Sequence, residues 1–233
     1  MGVRARAAFL RPRRVLLPPA PRSFHASEFL APFVPGCQSA KRAVRKIQPM
    51  RVIAGEARGR RLSVPRGLAV RPSGARLRES AFGILEHRGA IRGARVLDLF
   101  AGSGALGIEA LSRGAASVVA LEHDRVAGKV IRANAGHCGF ADRHELQLRS
   151  VTPALAGLAE GVVFDLVFLD PPYGKVDIDA ILVGLVAREL LEEGAFVLIE
   201  HPHGNGPSAE GLELELERRY GGSEISLLRR KSA

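Results

Sequence analysis

Cysteine is scarce in this sequence of 233 residues, which carries only Cys37 and Cys138. Two thiols build neither a disulfide framework nor a four-cysteine zinc site, and they suit a reducing compartment. Long apolar runs are missing too, and none approaches the ~18 residues of a membrane span. Methionine occurs only at positions 1 and 50, and no acid precedes Glu28. What is present is the balance of a globular protein, 46% hydrophobic and 25% charged, which excludes wholesale disorder. The length suits one ordinary domain with a tail.

Charge divides the chain. Residues 1–50 hold ten basic residues and one acid, residues 51–95 eleven and three, and residues 96–233 thirteen and twenty. A basic front on a mildly acidic body predicts a polyanion partner for the front and another ligand for the body. Within the first fifty residues, seven prolines and no sustained periodicity argue against a fold. That stretch reads as a basic extension. It is either an organelle-targeting segment, acid-free to Ser27, or an extension upstream of a start at Met50.

From Arg51 the pattern tightens. Residues 51–55 and 60–64 flank a Gly/Arg turn and predict a hairpin with a wet arginine face. Leu77, Ala81, Ile84 and Leu85 recur at helical spacing. Residues 51–94 thus form a hairpin and helix ahead of a domain over 95–233. There, strands are expected at 96–100, 117–121, 146–148, 163–169 and 195–199. Helices are expected at 106–111, 125–137 and 178–191. Alternating apolar and charged residues at 212–216 and 225–228, around Gly221-Gly222, predict a closing antiparallel pair. The expected fold class is α/β, a doubly wound, Rossmann-like, mostly parallel sheet with that pair at its end.

The first strand of this domain runs into Asp98-Leu99-Phe100-Ala101-Gly102-Ser103-Gly104-Ala105-Leu106-Gly107. Gly102 and Gly104 permit a tight turn, and the following helix start favours an anionic group. Glu122 ends the next strand, eighteen residues beyond Gly104, where a carboxylate bonds ribose hydroxyls. The loop fits a nucleoside-bearing cofactor, either NAD or S-adenosylmethionine. Asp98 favours the second, because a carboxylate suits an ammonium and a sulfonium but repels a pyrophosphate.

A second motif, Asp170-Pro171-Pro172-Tyr173, closes the apolar strand at 164–169. Amine methylation accounts for each part. An exocyclic amine conjugated to a base is a poor nucleophile and needs acceptors that orient its N–H bonds. Asp170 supplies one oxygen and the Pro171 carbonyl another, with Pro172 restraining the residue before it. Tyr173 can stack on the base. The alternative is a strand-end turn, with Asp170 a helix cap and Tyr173 surface cover. His201 and His203, flanking Pro202, lack visible further metal ligands and read as a solvated loop, and Cys138 reads as packing.

These residues resemble the RsmD-like family of S-adenosylmethionine-dependent methyltransferases, which act on guanine N2 in small-subunit ribosomal RNA. The similarity runs from about Arg51 to the C-terminus. It rests on 51–55 with 58–62, on Arg71-Pro72 through Arg76, Arg78 and Glu79, and on Asp98–Gly107, Glu109–Ala115 and Asp170–Tyr173. The resemblance implies cofactor contacts at Asp98, Gly102, Ser103, Gly104 and Glu122. Ser150 stands where the family has Asp or Asn facing the adenine. It implies the target base at Asp170, Pro171, Pro172 and Tyr173, with no metal. Arg51, Arg58, Arg60, Arg61, Arg71, Arg76 and Arg78 would then hold RNA phosphates. Ser73, Gly74 and Ala75 replace a polar pair and an Asp usual in the family. The expected partner is ribosomal RNA or a small-subunit particle, not a membrane, and a monomer is expected. The expected setting is the cytoplasm, or a mitochondrion or plastid if residues 1–49 target one. Other readings are adenine-N6 methylation, a nicotinamide dehydrogenase, and a non-catalytic RNA-binding assembly factor.

Overall fold

A computed structural model describes residues 50–65, 74–159, 161–204 and 206–232. The extension over 1–49 and Arg71, Pro72 and Ser73 lie outside the described residues. Among the described residues no helix is long and apolar enough to cross a membrane.

One seven-stranded sheet organises the fold. Its strands are β1 (Arg95–Leu99), β2 (Ser117–Glu122), β3 (His144–Leu148), β4 (Phe164–Leu169), β5 (Leu191–Pro202), β6 (Leu212–Tyr220) and β7 (Ser223–Arg230). They lie in the order β3-β2-β1-β4-β5-β7-β6. The first five are parallel, while β7 pairs antiparallel with both β5 and β6. This is the expected doubly wound sheet with a closing antiparallel pair. The helices are α1 (Gly74–His87), α2 (Ala105–Ser112), α3 (Arg125–Cys138), α4 (Val151–Ala156) and α5 (Ile178–Ala187).

Strand alternation sorts the core into two layers. Val96, Val118, Leu166 and Phe168 face one way and pack with Phe82 of α1 and Ile108 and Leu111 of α2. Leu97, Leu99, Val167 and Leu169 face the other way and pack with Val151 of α4 and Leu182 and Leu185 of α5. A parallel sheet needs such cover on both faces.

Three local expectations change. The helix expected over 178–191 stops at Ala187. Glu189 adopts a left-handed φ of 53°, and Leu191 already starts β5. Leu190 and Leu191 suit either period because both are core residues. The strand expected over 195–199 accordingly runs from Leu191 to Pro202. Helix α4, six residues long, has no counterpart among the expected elements. The hairpin at the front is reduced to one antiparallel bridge, Arg51 with Arg61. It is reinforced by Val52 N–H to Arg60 O, Gly59 N–H to Val52 O and Leu62 N–H to Met50 O.

Candidate active site

Strands β1 and β4 are immediate parallel neighbours, with Leu99 opposite Leu169 and Asp98 opposite Phe168. The glycine loop and the Asp170 motif therefore leave the sheet side by side. The chain crosses to α2 on one face and to α5 on the other, so this is the switch point where ligands bind such sheets.

The loop opens on a strained residue. Phe100 has φ of 62°, followed by glycines at 102 and 104 with φ of 56° and 75°. A left-handed aromatic costs on the order of 1 kcal/mol or more and marks a geometry held for use. Gly107 is required for close packing, since a Cβ there would lie 2.8 Å from Val118 Cγ1 and 3.2 Å from Asp98 Oδ2.

Asp98 is 1% exposed. Its Oδ2 accepts the Gly107 N–H at 3.1 Å, and its Oδ1 is buried without a hydrogen-bond partner. Burial pushes its carboxyl up to about 7; the Gly107 amide opposes this, and the charges of Asp170 and Glu122 add to it. A buried acceptor left open is costly to folding and is characteristic of a ligand site. It suits a small cationic group such as an ammonium.

Glu122, also buried, closes the loop from β2. Its Oε2 accepts the Gly102 N–H at 2.9 Å, and its Oε1 accepts the Asp124 N–H at 2.8 Å. The sequence placed loop and acid together by spacing, and this bond joins them directly. Asp124 caps α3 by accepting the Ala127 N–H at 2.7 Å. His123 Nδ1 lies 3.1 Å from Glu122 Oε1. Ser150 is exposed at the start of α4, and its side chain makes no capping bond.

In the second motif Asp170 is exposed, Pro171 buried, Pro172 exposed and Tyr173 half-buried. The Tyr173 hydroxyl donates to Glu200 Oε1 at 2.9 Å and is bonded to Ser223 Oγ at 2.7 Å. The ring is thus held at its hydroxyl end by β5 and β7. The Pro172 carbonyl accepts the Lys175 N–H at 3.3 Å, which closes the turn.

The arginines separate into groups. Arg51, Arg58, Arg60, Arg61 and Arg76 are exposed. Arg51 also donates to Gly59 O at 3.0 Å and Arg60 to His137 O at 2.7 Å. Arg78 does not join them. It is 6% exposed, it donates to Arg51 O at 2.7 Å, and burial lowers its pKa. Its helical position falls on the buried stripe beside Leu77, where it packs against the front segment.

The residues that fasten this front belong to none of the functional motifs. Glu109, 1% exposed, accepts the Ile53 and Ala54 N–H groups at 2.8 and 3.0 Å, and Arg113 Nε at 2.8 Å. Ser112 Oγ accepts the Ala57 N–H at 3.0 Å and donates to Ala54 O at 2.5 Å. Asn134 bonds Ser63 and Ser103. The one available signal was Glu109, a carboxylate within the otherwise apolar helix ALGIEALS, where burial demands a partner. His201 is fully buried in β5 rather than in a solvated loop, and it sets a ligand atom within 4.8 Å of those of Glu217 and Glu224. These already bond neighbours, His201 Nε2 to Ser226 Oγ at 2.8 Å, Ser226 to Glu217 at 3.1 Å and Glu224 to His203 at 3.1 Å.

Residues 50–229 match the family model described as "Conserved hypothetical protein 95". The chain belongs to this RsmD-like family. It is 34% identical over 158 residues to "Ribosomal RNA small subunit methyltransferase D" of Escherichia coli K12, covering 67% of this chain and 77% of that one. The protein of the same name from Haemophilus influenzae is 35% identical over 153 residues, covering 65% and 78%. The solved structure of the yhhF protein of Escherichia coli superposes with a TM-score of 0.70 at 31% identity. It covers 80% of this chain and all of that one.

Proposed function

We propose that this protein transfers a methyl group from S-adenosylmethionine to the exocyclic N2 of a guanine in small-subunit ribosomal RNA. The observation that carries the reading is the adjacency of β1 and β4. It sets the open Asp98 acceptor one strand, and Glu122 two strands, from the β4 end that leads into Asp170. Membership of a family whose relatives bear rRNA methyltransferase names supports it.

Asp98 Oδ1 would take the cofactor's ammonium, and Glu122 its ribose hydroxyls, with the Gly102–Gly104 backbone alongside. When bound, the cofactor supplies an electrophilic methyl carbon on a sulfonium, which leaves as a neutral thioether. Asp170 and the Pro171 carbonyl orient the amine. Tyr173, anchored through Glu200 and Ser223, presents its ring to a guanine taken out of its stack. Its restrained ring reduces the entropy cost of that contact. The exposed arginines of the front segment hold phosphates.

The test is incubation of the protein with labelled S-adenosylmethionine and undermethylated small-subunit particles, followed by digestion of the RNA to nucleosides. Label in N2-methylguanosine is expected. Label in N6-methyladenosine would move the reading to the adenine, and absence of label from RNA would overturn it.

A further inference from the structure

The front segment carries exposed arginines on one side and touches the glycine loop on the other. Met50 and Leu62 pair through their backbones, which brings Met50 and Ser63 to the same edge. There Ser103 Oγ contacts Met50 Sδ at 3.4 Å. Asn134 of α3, 2% exposed, completes the contact. Its Oδ1 accepts the Ser63 N–H at 2.9 Å, and its Nδ2 donates to Ser63 O and to Ser103 O, each at 2.9 Å. Among the described residues, no other side chain is hydrogen-bonded to the front segment and to the backbone of the glycine loop. Glu109 and Ser112 also fasten the front, but to α2 only.

All three amide bonds of Asn134 are made in a buried place, so it fixes one relative position of Ser63 and Ser103. A loop pre-set by one ligand costs the other less to bind, and such coupling is reciprocal. Resting on the methyltransferase reading above, we propose that Asn134 is a positioning residue that makes cofactor binding at Gly102–Gly104 and RNA binding at the front segment mutually reinforcing.

The test measures affinity for undermethylated small-subunit particles by co-sedimentation, with and without saturating S-adenosylhomocysteine. For the unaltered protein the product should tighten particle binding about 5-fold or more. Asn134→Ala should bring that ratio to about 1, with S-adenosylhomocysteine binding still measurable by itself. Asn134→Asp keeps the acceptor for the Ser63 amide and removes the donor to Ser103, so it should give the same loss if the alanine variant fails to fold. Ser112→Ala loosens the front without touching the loop and should keep the ratio. A ratio unchanged in both Asn134 variants, or lost equally in Ser112→Ala, overturns the proposal. If the unaltered protein methylates particles yet shows no effect of S-adenosylhomocysteine, the coupling falls and the methyltransferase reading stands. If it neither binds S-adenosylhomocysteine nor methylates particles, both fall.

Discussion

Asp98 stands one strand from Asp170, and the negative field of Asp170 helps hold the Asp98 carboxyl at about 7. Burial is the larger cause, and the consequence for folding has a definite sign. An acid whose folded pKa lies above its ordinary value keeps its proton better folded than unfolded. Stability therefore falls as pH rises from about 4 to about 7 and is flat beyond. For a fully buried group the penalty is on the order of 4 kcal/mol. Asp98→Asn removes it. The cofactor-free variant should melt higher than the parent at pH 8 and equal to it near pH 4. Its melting point should no longer rise on adding S-adenosylhomocysteine. In the parent, cofactor affinity should climb as pH passes 7.

Gly55 leaves no room for a side chain. Its φ is 81°, and a Cβ would meet the Ser112 carbonyl oxygen at 1.7 Å. Gly55→Ala should destabilise the protein by about 3 kcal/mol or detach the front segment from α2. Urea unfolding reads the first outcome, and faster proteolysis near Arg58 reads the second.

Tyr173→Phe removes the bonds to Glu200 and Ser223 but keeps the ring. A loss of roughly 1 kcal/mol in positioning predicts kcat/KM about 5- to 10-fold lower. Tyr173→Ala should cost more, because the stacking surface goes too. Equal rates for the parent and the phenylalanine variant would show that the anchor contributes nothing to positioning the base.

The arginines divide by exposure. Replacing Arg58, Arg61 and Arg76 together with Ala should weaken particle binding and lower the slope of log affinity against log salt by roughly 2–3. Arg78→Ala should leave that slope unchanged and lower thermal stability, since the buried guanidinium bonds Arg51 O.

That division shows where sequence legibility ends. Glycine spacing, the acid at Glu122 and the strand-end prolines are local patterns, so Asp98–Gly107 and Asp170–Tyr173 could be read directly. Alternation in period fixed which strands were parallel and where the antiparallel pair closes. Charge alone, however, does not say whether an arginine is wet, and Arg78, grouped by charge with the exposed arginines, is buried. Asn134, Glu109 and Ser112 act on backbone groups 31 to 71 residues away, and such bonds leave no local trace. Leu190 and Leu191 are core residues in either period, so the end of α5 was hidden as well.

Two strand ends serve one reaction in different roles under the proposed function. Single-turnover methyl transfer and S-adenosylhomocysteine affinity, measured together on Asp170→Asn and Asp98→Asn, separate those roles most directly. Asp170→Asn should lower the rate by 100-fold or more while cofactor affinity stays within about 2-fold. Asp98→Asn should abolish the affinity itself. A full rate in Asp170→Asn, or undiminished cofactor binding in Asp98→Asn, would contradict that division of roles.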